Sequence, residues 1–250
     1  MQDHLYNFLL HLGDNALVLG HRLSEWCGHG PILEQDMAMT NIALDLVGQS
    51  RNIFQLAANI KGDGASEDTL AYTRDAIAYK NVLLVEQKNG DFGKTILRQF
   101  LYDAFNYARY QRLLTSNNKD LAAIAEKSIK EITYHLKWSS EWVIRLGDGT
   151  TESNRRINEA LEDLWPYTGE MFKPADYEIA CHEAGIYPDL DGLKSDWDEE
   201  VKTIFAEAGL TVPGEAWMHD GGKRGVHSEH LGYLLAEMQF LQRAYPGQEW

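Results

Sequence analysis

The chain has 250 residues, a mass of 28.4 kDa, 44% apolar residues and a formal charge of −15, which suits one large domain with a substantial core. A pI near 5.0 excludes a general nucleic-acid binder, which needs a basic face to displace counterions, and a polybasic membrane-surface protein. No apolar run reaches the roughly 20 residues that span a bilayer.

Residues 4–26 place Leu5, Phe8, Leu9, Leu12, Ala16, Leu19, Leu23 and Trp26 at three- and four-residue steps, predicting one helix that stops at Gly28-His29-Gly30-Pro31. Residues 32–60 are apolar around most of the circumference, interrupted by a polar line of Asn41, Asp45, Gln49 and Asn52, as in the middle of a bundle. A helix over 66–88 follows the turn Lys61-Gly62-Asp63-Gly64, with Ser66 or Asp68 as its cap. Breaks at Asn89-Gly90-Asp91 and Ser116-Asn117-Asn118 set off helices over 92–114 and 120–146, and a sixth runs over about 153–165. Weaker helical patterns cover 176–184 and 194–208, and a last helix covers 228–244. The stretch 176–220 is strongly acidic, with two Lys/Arg against twelve Asp/Glu, a composition for solubility or steering.

No alternating strand pattern occurs, so the fold class is all-α: an antiparallel helical bundle with extra N- and C-terminal helices. The expected organisation is a single domain over 1–250, with its bundle core at about 32–146 and a helical C-terminal extension at about 150–250. Cys27 and Cys181 lie far apart without a C-x-x-C partner, and Met1-Gln2-Asp3-His4 carries no signal-peptide pattern. Reduced thiols and a cytoplasmic location are therefore expected.

Carboxylates inside long helices raise the di-iron bundle, which takes one carboxylate from each of two helices and Glu-x-x-His from the other two. The residues three before the nine histidines are Met1, Phe8, Val18, Trp26, Ile132, Ile179, Ala216, Arg224 and His227, and none is acidic. Asp45, Asp75, Asp103 and Glu131 nevertheless fall one on each of the four predicted bundle helices, 30 residues apart in the first pair and 28 in the second. Three residues beyond Asp75 stands Ala78, and three beyond Glu131 stands Tyr134. His135 lies one residue out of step, about 100° around the helix. The spacing predicts a vestigial site that lacks nitrogen donors and holds no metal. The competing reading puts these acids on the surface by chance, among 38 Asp and Glu. If they converge, Arg51, Arg74, Lys80, Arg109 and Lys127 are candidates to neutralise them.

Gly221-Gly222-Lys223-Arg224-Gly225 precedes a helix start, and its backbone N–H groups with Lys223 and Arg224 could cradle an anion. His227 and His230 extend this candidate anion or partner-docking segment. No Walker A loop, nucleophile elbow or Rossmann fingerprint is present, so no catalytic and no cofactor-binding residue is assigned.

Four segments carry a resemblance: Gly13–Gly28 (GDNALVLGHRLSEWCG), Ala43–Asn52 (ALDLVGQSRN), Gly221–Gly232 (GGKRGVHSEHLG) and Leu235–Gln239 (LAEMQ). They are similar to the C-subunit family of the bacterial phenylacetyl-CoA epoxidase, or ring-oxygenase, complex, over the whole length. The resemblance implies a ferritin-like fold and a structural, non-catalytic subunit with no metal of its own. It implies a homologous catalytic A subunit holding a di-iron centre, a small B subunit, and a reductase that supplies electrons from NADPH. Two readings stay beside it: a divergent di-metal oxidase using the four carboxylates with Tyr134 or His135, and a stand-alone homodimer that binds a CoA ester.

Overall fold

Helical periodicity runs through nearly all of the sequence, and the computed structural model, which describes residues 1–248, is correspondingly all-α. Among the described residues there is no strand, and no helix is long and apolar enough to cross a membrane. The chain divides into two compact units: Met1–Lys88 with Ala175–Cys181 and the chain from Asp220 onward, and Asn89–Pro174 with His182–His219.

The first unit is built on an antiparallel pair, α1 (Gln2–Ser24) and α2 (Leu33–Lys61). Phe8, Leu9, Leu12, Leu19 and Leu23 of α1 are fully or almost fully buried, each contributing on the order of 2 kcal/mol by leaving water. Gly13 and Gly20, on the same face, let α2 approach: a Cβ at Gly13 would lie 2.3 Å from the Phe54 ring, and one at Gly20 would lie 3.2 Å from the Ala43 carbonyl. Gly62, at φ +69, ends α2 with its N–H on the Ala58 carbonyl, a left-handed cap that glycine adopts without strain.

The predicted helix over 66–88 is not one helix. Ser66 caps a short α3 (Glu67–Tyr72), accepting from Thr69 N–H at 3.1 Å. A 3-10 turn at Ala76–Ala78 and a four-residue α4 (Leu83–Glu86) follow, with extended backbone between them. The cause lies on α1, whose buried polar side chains take the main-chain groups a helix would need. Asp14 accepts from Lys80 N–H at 2.8 Å, and Asn15 Oδ1 accepts from Val82 N–H at 3.0 Å. His11 Nδ1 meets the Lys80 carbonyl at 2.7 Å, and Arg22 donates to the Glu86 carbonyl from Nε at 3.1 Å and Nη2 at 2.9 Å. The apolar periodicity of the segment remains, but its backbone bonds are made to another helix.

The second unit pairs α5 (Phe92–Leu113), capped by Asp91, with α6 (Lys119–Gly147), capped by Asn118. These helices are antiparallel, with Phe92 set edge-on against Trp142 at 5.1 Å near one end. A reciprocal Thr150–Ser153 capping box opens α7 (Thr151–Leu164). After α8 (Asp176–Glu183), whose residues up to Cys181 belong to the first unit, comes α9 (Leu190–Ala208), which begins four residues before its predicted start because Asp189 caps it, accepting from Gly192 N–H. Trp197 of α9 is buried and donates its indole N–H to the Leu101 carbonyl at 2.8 Å. Gly209, at φ +68, stops α9.

The predicted last helix over 228–244 is split into α10 (Glu229–Met238) and α11 (Phe240–Ala244), both in the first unit. At the break, Gln239 Nε2 donates to the Arg74 carbonyl at 2.9 Å and to Tyr79 Oη at 3.0 Å.

Two glycines on long helices should respond oppositely to a methyl group. At Gly147 a Cβ would stand 2.2 Å from the Ala208 carbonyl oxygen, whereas at Gly48 nothing lies within 4 Å. Gly147→Ala is expected to destabilise by about 1–3 kcal/mol, and Gly48→Ala to stabilise by about 0.5–1 kcal/mol. Urea midpoints of the two variants check both signs.

Candidate functional site

The structure does not assemble the ligand-like positions into a metal centre. Asp45 is half-buried on α2 and Glu131 half-buried on α6. Asp75 is exposed, precedes the 3-10 turn instead of lying on a long helix, and accepts from Arg243 at 2.8 Å. Only Asp103 of the four is fully buried. Tyr134 is 47% exposed, while His135 is wholly buried, so the inward position on α6 is His135 and not Tyr134. His135 continues the buried line Leu121, Ala125, Ser128 and Ile132, a phase that counting forward from the start of α6 would have revealed. Among the described residues, no group of three or more His, Cys, Asp or Glu could hold a metal ion. Among the described residues these positions do not supply a di-iron donor set: Ala78 and the exposed Tyr134 offer no imidazole, and Asp75 and Asp103 have other partners.

In the second unit, Asp103 of α5 accepts from Gln99 Nε2 at 2.7 Å and from Ser139 Oγ of α6 at 2.9 Å. Burial pushes its carboxyl up to about 7, against the opposing pull of His135, Ser139 and Gln99. Burial outweighs these three contacts, so the carboxyl of Asp103 takes up a proton far more readily than an exposed aspartate does. Arg109, also fully buried, lies against the Phe105 ring at 4.9 Å and the Tyr102 and Tyr110 rings at 5.8 Å. Its Nη2 donates to Tyr102 Oη at 2.8 Å and Asn106 Oδ1 at 2.5 Å. A guanidinium within an aromatic cage is held by ring faces and neutral acceptors.

The first unit buries three carboxylates that the metal-site spacing did not single out: Asp14, Glu86 and Glu178. Each meets a basic side chain and a main-chain N–H. Asp14 takes both terminal nitrogens of Arg74, whose guanidinium also stacks 4.3 Å from the Tyr79 ring, together with the Lys80 N–H. Glu178 takes Lys223 Nζ at 2.9 and 3.1 Å and Ala175 N–H at 2.9 Å, with His11 Nε2 at 3.9 Å. Glu86 takes His227 Nδ1 at 2.8 Å, Ser228 N–H at 2.6 Å and Asn81 Nδ2 at 2.9 Å. Asp14 lies opposite the apolar stripe of α1, so the only available signal was that Leu10, Leu17 and Val18 make that second face apolar as well.

The glycine-rich loop is consequently a fastening and not an open cradle. Lys223 is 3% exposed and bound to Glu178, and His227 is turned inward on Glu86. Arg224 alone of the four candidates is exposed, and it pairs with Asp220 at 3.1 Å. His230 is half-buried, and its carbonyl accepts from Arg22 at 3.0 Å. Gly225, at φ +83, lies so close that a Cβ would meet the Ile77 carbonyl oxygen at 2.1 Å. The anion-cradle expectation for Lys223 and His227 fails because both side chains are used inside the unit.

A model of the family described as phenylacetic acid catabolic protein matches residues 1–250. The chain belongs to this family. It is similar to the C subunit of the 1,2-phenylacetyl-CoA epoxidase of Escherichia coli (strain K12), with 50% identity over 248 residues that cover 99% of the chain and 100% of the relative. The family resemblance read from the sequence motifs is thereby established.

Two expected outcomes test the buried acids. Asp14→Ala leaves the Arg74 guanidinium without its carboxylate and should cost about 3–5 kcal/mol, measured by urea denaturation. Asp103 has a folded-state pKa above its unfolded value of 3.8, so the folded state binds the extra proton and stability falls as pH rises from about 4 to 7. Asp103→Asn should flatten that slope, read from urea midpoints across this range.

Proposed function

We propose that this chain is the non-catalytic structural subunit of a multicomponent oxygenase that epoxidises the aromatic ring of phenylacetyl-CoA in phenylacetate degradation. The observation that carries the reading is the full-length 50% identity to a protein named as the C subunit of such an epoxidase. The chemistry of the interior supports it. Asp14, Glu86 and Glu178 are already bound by Arg74, His227, Lys223 and main-chain N–H groups, and Asp103 is bound by an amide and a hydroxyl. Acids committed in this way are not available to ligate iron.

In this reading the chain stabilises and positions a homologous catalytic A subunit. That partner carries the di-iron centre and the CoA thioester, a small B subunit joins the assembly, and a reductase delivers electrons from NADPH in the cytoplasm. The work of this chain is then burial of a helical face against the partner, on the scale of an obligate interface. The face is rigid because the interior polar groups are closed onto one another.

Co-expression with the catalytic partner should give a stable hetero-oligomer by size measurement, with iron in the complex and none stoichiometric with this chain alone. The isolated chain should show no NADPH-dependent turnover of phenylacetyl-CoA in the presence of the reductase. Turnover by the isolated chain, or about two irons bound to it, would overturn the reading.

A further inference from the structure

His227 stands apart from the other histidines in what its ring nitrogens face. Its side chain is 4% exposed. Nδ1 lies 2.8 Å from Glu86 Oε2, and Nε2 lies 3.0 Å from the Tyr79 carbonyl oxygen. A neutral imidazole carries one N–H and therefore satisfies one of these two acceptors. Both contacts are made when carboxylate and ring together hold one proton beyond the ring's own. Removing it sets two acceptors face to face inside the unit, where an unmatched polar pair is costly.

The position of the ring gives that proton a structural consequence. His227 sits between the loop Asp220–Val226 and α10, and Ser228 N–H donates to the other oxygen of the same Glu86 carboxylate at 2.6 Å. The residue that precedes α10 is therefore fastened through one carboxylate to the end of α4. On the far side of the loop, Lys223 is fixed separately by Glu178.

We propose that the Glu86–His227 pair is a proton-dependent clasp that docks the arm formed by the 220–228 loop and α10 onto the rest of the first unit, closed while the pair holds its extra proton and loosened when the proton leaves.

Charges from each neighbouring element bear on this ring. From α1, Asp14 favours the proton, and Arg22 is the other charged group near the pair, bound to the Glu86 carbonyl and to that of His230. From the 73–88 segment, Arg74 neutralises Asp14 at short range and Glu86 contributes the dominant favourable contact. Burial pulls the ring's pKa down, but Glu86, the Tyr79 carbonyl and Asp14 together raise it above the ordinary imidazole value of 6.5. A group with a raised folded-state pKa contributes its full stabilisation below the unfolded value and loses it as pH rises through the folded one. The clasp is thus closed in mildly acidic solution and opens on the alkaline side.

The test is amide hydrogen exchange on the full chain at about pH 6 and about pH 8.5, corrected for the intrinsic exchange rate, with α2 as internal reference because the carboxyl of Asp103 titrates within α5 and α6 over this range. Protection of the 225–238 peptides should fall about tenfold or more between the two conditions, while the reference peptides hold. His227→Gln should give low, pH-independent protection of the arm, and His11→Gln, which alters the neighbouring Glu178 cluster, should retain the pH response. Equal wild-type protection at both conditions, or loss of the response in His11→Gln with its retention in His227→Gln, overturns the clasp. If His227→Gln does not fold, nitrogen chemical shifts of the wild-type ring decide. A ring, or its Glu86 pair, that still holds the extra proton above about pH 6.5 supports the proposal, and one that has lost it by then overturns it.

Discussion

The first unit depends on a row of polar side chains along an otherwise apolar helix. His11, Asp14, Asn15 and Arg22 of α1 are buried, and each binds main-chain groups between Lys80 and Glu86. Burying such groups unpaired would be prohibitive. Paired with backbone, they fix a segment that its own propensity would have made helical. One polar row therefore accounts for the broken helix, the placement of Glu86 and the seat for His227. It also explains why the first unit recruits chain from three separate stretches of sequence.

Acids elsewhere in the interior of the first unit are also met by basic side chains. A di-metal bundle keeps its carboxylates free of internal cations so that the metals can balance them. In the first unit the buried acids Asp14, Glu178 and Glu86 meet Arg74, Lys223 and His227, and in the second unit burial raises the proton affinity of Asp103. A guanidinium, an ammonium and an imidazole thus occupy these acids in the first unit.

The boundaries of α1, α2, α5 and α6 were legible within a few residues, because long amphipathic periods bounded by Gly, Asn and Asp caps leave little choice. Asp45, Asp75, Asp103 and Glu131 were chosen by spacing, and only Asp103 proved fully buried. Spacing along a chain gives the position of a side chain only while the helix continues, and at Asp75 it does not. The Tyr134–His135 assignment failed for a related reason. It took its phase from the distance to Glu131, whereas the buried face is set by Leu121, Ala125, Ser128 and Ile132. Lys223 and His227 looked like exposed loop cations because nothing local reveals that Glu178 and Glu86 lie across from them, 45 and 141 residues away.

The sequence by itself determined an all-α chain, the principal helices, the absence of Glu-x-x-His, and the family to which the chain belongs. These are properties of local periodicity and of residue identity, which survive without knowledge of contacts. Tertiary structure decided which acids are inside, which cation each one meets, and where the 66–88 segment abandons helix. Those outcomes rest on pairings between residues far apart in the chain. A buried charge is tolerated only where the fold brings it an opposite charge or a donor, and no local pattern records that meeting.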